Sequence, residues 1–197
     1  MKLWDQLFEL VGNSVKLIPM EEHHIDDLWE AAKPEEIWNF TTSKVKSLEA
    51  MQKMVLSALD EREKGISYPF VVVELQSNRI VGSTRFLDVL PLHKTAEIGW
   101  TWYNPSVWRT VVNSECKYLM LQHAFENWNL NRVQLKTDSR NLRSQKAIER
   151  IGARKEGVLR KERIIEDGYI RDTVYYSIIK EEWLGVKKEL LSKLQQS

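Results

Sequence analysis

Cysteine is nearly absent. Cys116 stands alone among 197 residues, so no intramolecular disulfide framework and no cysteine-based zinc site can form. Glycine is scarce too, with eight in the chain. None of them is arranged as GxGxxG or as a Walker A sequence, which removes the usual glycine-rich phosphate cradles. GxSxG is missing, so a nucleophile-elbow hydrolase has no support. The histidines offer no metal spacing: His23 and His24 are adjacent and would point to different sides of a helix, while His93 and His123 stand apart. No hydrophobic run approaches a membrane span, and the opening "MKLWDQLFELVGNSVKL" is broken by Asp5 and Glu9 before a signal-peptide core can form. Charge of one sign is lacking as well. The 29 basic and 28 acidic residues leave a formal net charge of +1, with no global pull towards nucleic acid or a membrane surface. These absences make a reducing cytoplasm the expected compartment.

What remains is an ordinary globular balance, 43% hydrophobic and 29% charged, expected to fold as one domain over residues 1–197. "SVKLIPM" reads as a first strand. "EEHHIDDLWEAAKPEEIW" puts Ile25, Leu28 and Trp29 on one helical face until Pro34 interrupts, and "SLEAMQKMVLSALDEREKG" is a second helix stopped by Gly65. "YPFVVVELQ" and "IVGSTRFLDVL" form a predicted hairpin through "SNR". "TAEIGWTWYN" is a fourth strand, whose alternation predicts Ile98, Trp100 and Trp102 on one face and Glu97, Gly99 and Thr101 on the other. Past it lies a helix carrying Leu121, Ala124, Phe125 and Trp128, with Cys116 as a small buried residue. "NRVQLKTD" is a fifth strand. "NLRSQKAIERIG" is a helix capped by Asn141 and ended by Gly152. Two β segments then flank the turn "EDG", and "KEEWLGVKKELLSKL" closes the chain as a helix. The order is mixed α/β.

The junction "SVWRTVVNSE" between the fourth strand and its helix is where backbone N–H groups and a helix's positive end can hold an anion. Taken with "EIGWTWYNP", "VQLKTDSRNLRSQKAIERIGARKEGVLR" and "RDTVYYSI", it gives a sequence that resembles the GNAT superfamily of acetyl-CoA-dependent N-acetyltransferases, closest to the RimJ/RimL-type branch that includes ribosomal-protein N-terminal acetyltransferases. The likeness runs from about "VKLIPM" to "VYYSII", and the string Asn141 to Ala153 is its most specific part. It implies a mixed, mostly antiparallel central sheet flanked by helices, with the fourth and fifth strands splayed apart.

The resemblance also implies roles. In the superfamily, the loop after the fourth strand binds the pyrophosphate of coenzyme A through backbone N–H groups and has two small residues. This chain has Trp108, Val111 and Asn113 at the defining places, so both small positions are larger. Backbone donors do not depend on side-chain size, although β-branched residues tolerate positive φ poorly. Arg109, Thr110, Val111, Val112, Asn113 and Ser114 are therefore the expected pyrophosphate loop, Arg109 and the Thr110 hydroxyl adding contacts; a plain connection is the alternative. Ile98, Gly99, Trp100, Thr101 and Trp102 are the expected backbone partners of the pantetheine arm, which would add to the splay like a strand. Asn141 would bond the pantetheine, cap its helix, or both. Ser144 would protonate the leaving thiolate or only reinforce the helix start.

Glu97 is the favoured general base, acting through a water, against the plainer role of a sheet carboxylate paired with a lysine or arginine. Asp172 and Glu162 are the other acidic candidates; the glutamate that some RimL-type enzymes place in the last hairpin has Arg163 at its position here. Trp38 and Asp172 are the expected acceptor contacts. The implied reaction moves acetyl from acetyl-CoA to a primary amine, such as a protein N-terminus, with no metal. The alternatives are a small-molecule amine such as a polyamine or antibiotic, and a non-catalytic acyl-CoA-binding protein of the same fold. No nucleic-acid or membrane partner is expected, and a homodimer stays open.

Overall fold

Residues 68–74, "YPFVVVE", are apolar without alternation, and the structure explains why. A computed structural model describes residues 3, 4 and 6–196. In it this run is a strand, β3 (Tyr68–Glu74), buried on both faces: Tyr68, Phe70 and Val72 enter one core layer, Val71 and Val73 the other. Each such buried side chain contributes about 1.5–3 kcal/mol.

The sheet around it comprises β1 (Leu10–Val11), β2 (Val15–Pro19), β3, β4 (Arg79–Leu90), β5 (Thr95–Tyr103), β6 (Arg132–Asp138), β8 (Ile170–Ile179) and β7 (Arg154–Ile164), in that spatial order. Among the described residues, β5 and β6 are the only neighbouring strands that pair in parallel. The short β1 precedes the first expected strand, so the fourth and fifth strands of the sequence reading are β5 and β6. On the front face lie α1 (Ile25–Ala32) and α2 (Leu48–Glu63), whose Leu28, Met51 and Val55 close one core with Trp38 and Trp102. On the back lie α3 (Val112–Gln122), α4 (Leu142–Arg150) and α5 (Lys180–Gln195), with Cys116, Ile148 and Trp183 in the second core. Among the described residues, no helix is long and apolar enough to cross a membrane.

Local signals set the element ends. The Ser47 hydroxyl accepts from the Ala50 N–H at 3.2 Å and starts α2, while Gly65, at φ 76°, ends it. Pro34 divides the first helical run, leaving α1 and a separate 3-10 turn over Glu35–Trp38. Gly168, at φ 83°, turns the chain between β7 and β8.

Two irregularities shape the centre. β5 and β6 pair only at Thr95–Glu97 with Arg132–Gln134, then run on to Tyr103 and Asp138 without pairing to each other. Between Gly99, opposite Arg85, and Trp102, opposite Ser83, two β5 residues face the single Thr84 of β4. This is a β-bulge, with Trp100 at φ 48°, a left-handed conformation that costs a non-glycine residue about 1–2 kcal/mol.

The bulge reverses the alternation expected of this strand. Ile98 faces the back core, whereas Trp102 enters the front core and Trp100 lies against Arg85, which bonds α2. The three do not share a face, and Glu97 lies on the front with Trp102 rather than opposite it.

Candidate active site

The two unpaired strand ends form a cleft that opens at their C-terminal ends. There the chain leaves β5 towards α3 and β6 towards α4, so both helix N-termini meet the wide end.

The loop after β5 answers the question its bulky residues raise. Asn104 caps a 3-10 turn over Pro105–Val107, and Arg109, not a valine, takes the left-handed conformation, at φ 65°. Val111 has ordinary helical angles (φ −68°, ψ −20°) and α3 begins at Val112. The Thr110 hydroxyl donates to the Val107 carbonyl at 2.8 Å and accepts from the Val112 N–H at 3.3 Å, so its proton is already used within the turn. The N-cap residue, Val111, makes no side-chain cap, so Thr110 serves only the first N–H of α3. Among the described residues, the N–H groups of Val111, Asn113 and Ser114 donate to no protein acceptor. That leaves a row of inward-curving donors at a positive helix end.

Arg143, on the first turn of α4, is not singled out by the sequence. Its guanidinium stacks 3.7 Å from the Trp108 ring centre, and the indole Nε1 is anchored by the Tyr103 carbonyl at 2.9 Å. Burial and then the like charge of Arg109 weaken its hold on its proton. Two guanidiniums from opposite rims of the cleft therefore feel each other's charge, and among the described residues neither has a carboxylate partner. Such an arrangement suits a polyanion. A Trp at 108 and an Arg at 143 carry no such meaning until the fold brings α4 beside the loop.

At α4, Asn141 Oδ1 accepts from the Ser144 N–H at 3.0 Å, and the Ser144 hydroxyl makes no hydrogen bond among the described residues. Asn141 thus caps the helix and keeps its amide N–H groups free.

Glu97 is 3% exposed. Its Oε2 receives both Lys136 Nζ and Gln134 Nε2, each at 2.9 Å. Oε1 runs beside Gly99, where an added Cβ would stand 3.0 Å from it. Burial pushes the carboxyl above its ordinary range, and Lys136 opposes this. Glu162 shares the front face and accepts from the Thr173 hydroxyl at 3.0 Å. Asp172 is elsewhere: Oδ1 takes the Lys161 N–H at 2.7 Å, where β7 bulges, and its carbonyl takes the Ser139 N–H.

Trp38 is 6% exposed, packs 5.5 Å from Trp102, and donates from Nε1 to the Ala32 carbonyl. It is a core residue behind the wall rather than an open contact. The exposed rim is built instead by a strap. Thr42 O accepts from Glu166 N, Lys44 N donates to Glu166 Oε2 at 2.7 Å, and the Arg140 guanidinium lies 3.5 Å from the Tyr169 ring centre and 5.8 Å from that of Phe40. The segment after α1 is thereby tied to the β7–β8 turn across the front of the wide end.

Comparison with known proteins agrees with this geometry. Residues 14–154 match the family described as the acetyltransferase (GNAT) domain. The uncharacterized N-acetyltransferase YnaD of Bacillus subtilis (strain 168) is 31% identical over 114 residues, which is 58% of this chain and 65% of that one. This chain therefore matches just under two thirds of that relative's length. The ribosomal-protein-serine acetyltransferase of Escherichia coli (strain K12) is 25% identical over 173 residues, 86% of this chain and 95% of that one. A crystal structure from T. thermophilus, provisionally named as an acetyltransferase, superposes with a TM-score of 0.86 at 35% identity, covering 97% of this chain and 99% of that one. With the family match across most of its length and the splayed sheet that accompanies it, the chain belongs to the GNAT acetyltransferase family.

Proposed function

We propose that this protein transfers an acetyl group from acetyl-CoA to a primary amine, with a protein N-terminus as the leading acceptor and a small-molecule amine as the alternative. The observation that carries the reading is the loss of β5–β6 pairing after Glu97, which leaves strand edges free where a pantetheine arm can take a strand's place. Ile98 to Trp102 supply the backbone partners. The open N–H groups at the start of α3, with Arg109 and Arg143, receive the pyrophosphate. Asn141 reaches the pantetheine through its free amide.

The chemistry needs proximity more than covalent help from the enzyme. The amine nitrogen forms the new N–C bond, the C–S bond breaks, and the nitrogen's surplus proton passes through water to Glu97. The Ser144 hydroxyl passes its proton to the thiolate and takes one back from solvent water. A backbone N–H at the β5 bulge stabilises the oxyanion. The strap from Phe40 to Tyr169 borders the acceptor side, and Glu162 lies on that face. No metal is required, and the cytoplasm, where acetyl-CoA is at hand, is the proposed compartment.

Release of coenzyme A thiol from acetyl-CoA in the presence of amino-terminal peptides, set against polyamines and aminoglycosides, tests the proposal. A rate rising with one acceptor class supports it. Calorimetric binding of coenzyme A without transfer to any amine would instead favour a non-catalytic acyl-CoA-binding protein.

A further inference from the structure

Lys117 lies in the second turn of α3 and is 5% exposed, facing the back of β4 and β5. Its Nζ donates to Thr101 Oγ1 at 2.6 Å and to Thr84 Oγ1 at 3.1 Å. The two hydroxyls also bond each other at 2.7 Å. No carboxylate pairs with it among the described residues; neighbouring Glu115 is committed to the N–H groups of Asn13, Ser14 and Val15. Burying an ammonium without an anion is costly, and burial pulls this one down to about 8. A methionine would fill such a space at lower cost.

The location explains what the lysine holds. Thr84 is the single β4 residue opposite the bulge, and Thr101 is the bulge residue next to the strained Trp100. Thr101 Oγ1 also lies 3.5 Å from the Gly99 carbonyl. On the front of the same bulge, Arg85, 4% exposed, lies 4.8 Å from the Trp100 ring centre and bonds Glu61 of α2. A left-handed non-glycine residue persists only where its surroundings over-determine it. Here two buried cations flank it, Arg85 against its ring on one face and Lys117 through the neighbouring Thr101 on the other.

We infer that Lys117 is a positioning residue: through Thr101 and Thr84 it locks the β5 bulge so that its backbone donor is aimed into the cleft. The inference rests on the proposed acetyl transfer in that cleft, but its physical core concerns the bulge alone. Lys117→Met removes the grip while keeping the volume, and Thr101→Val removes the nearer of its two acceptors while keeping the lysine.

Two readouts separate this role from simple packing. In amide hydrogen exchange, Trp100, Thr101 and Trp102 should exchange about tenfold or more faster in Lys117→Met, while amides of β3 keep their protection. In kinetics, kcat should fall on the order of tenfold to hundredfold, with KM for acetyl-CoA within about threefold and the urea midpoint unchanged or raised. Thr101→Val should reproduce both effects, and the double variant should add little to either. Exchange at the bulge that stays at the wild-type rate, or that rises only in step with every other amide, would overturn the inference. If the wild type transferred acetyl to no amine, the exchange measurement would still decide it, so failure of the activity and failure of this role are distinguishable.

Discussion

Replacing Glu97 by glutamine separates the two roles open to this carboxylate. As a structural group, Glu97 is 3% exposed and receives Lys136 and Gln134 on one oxygen. Removing one partner of a buried ion pair costs roughly 3–5 kcal/mol when the other is left without water. The Lys136 side chain is 20% exposed and can hydrate, and glutamine keeps an acceptor oxygen and the volume. Burial already disfavours the charged carboxylate, so its neutral replacement recovers part of the loss. The net cost should be about 1 kcal/mol, a fall in Tm of about 2–4 °C for a chain of this size. As a general base, by contrast, Glu97 should be worth about 100-fold or more in kcat, about 2.7 kcal/mol of barrier.

The assay is initial-rate thiol release well below the melting temperature, across pH 5–9, with coenzyme A affinity measured alongside. Because burial raises the Glu97 pKa, the acidic limb of kcat/KM should lie above the ordinary carboxylate range in the wild type and vanish in Glu97→Gln. The stability linkage has the opposite sense to a salt-bridged surface acid. A raised folded-state pKa contributes stability below the unfolded value and loses it as pH rises through the folded one. Acid unfolding should therefore not originate at Glu97. Equal kcat for both proteins throughout the acidic limb would refute the base assignment and leave the ion pair as the residue's whole role.

Glu115→Ala should be the more damaging change to the fold, because it strands three backbone N–H groups that now donate at 2.7, 2.8 and 3.1 Å. With partial rescue by water, the cost should be about 3 kcal/mol, or a fall of about 6–12 °C in Tm, and a urea midpoint close to wild type would contradict it. Asn141→Ala should lose about 1 kcal/mol of stability as a missing cap and also weaken coenzyme A binding; calorimetry giving wild-type affinity would confine the residue to capping. Lys117, pulled down to about 8 from 10.5, makes the unfolded chain bind more protons than the folded one between those values. Stability should thus rise with pH across that window by roughly 3 kcal/mol at most, in urea titrations of wild type but not of Lys117→Met.

Much of this architecture is legible in local sequence. Ser47, Gly65, Asn141 and Gly168 act within a few residues of themselves, so their roles as caps and turns survive any tertiary context. The apolar run of β3 announces burial on both faces, and the string from Asn141 to Ala153 points to the family without a structure. The β5 bulge is beyond such reach, because alternation assumes one residue for each residue on the partner strand. Whether Trp100 is inserted is set by register against Thr84 and by Lys117 and Arg85 from other elements.

The same holds for charges. Nothing in the neighbourhood of Glu97 in the chain names Lys136 and Gln134 as its partners, and nothing near Trp108 points to Arg143. The loop proposed to receive the pyrophosphate falls between these cases. Its position is readable, but its solution to the missing glycines, a left-handed Arg109 that frees the valines to be helical, depends on how Trp108 is anchored below it. Propensity and capping act over three or four residues and are written in the sequence. Register, burial of lone charges and the meeting of two cleft rims arise from segments tens of residues apart, so only the folded chain decides them.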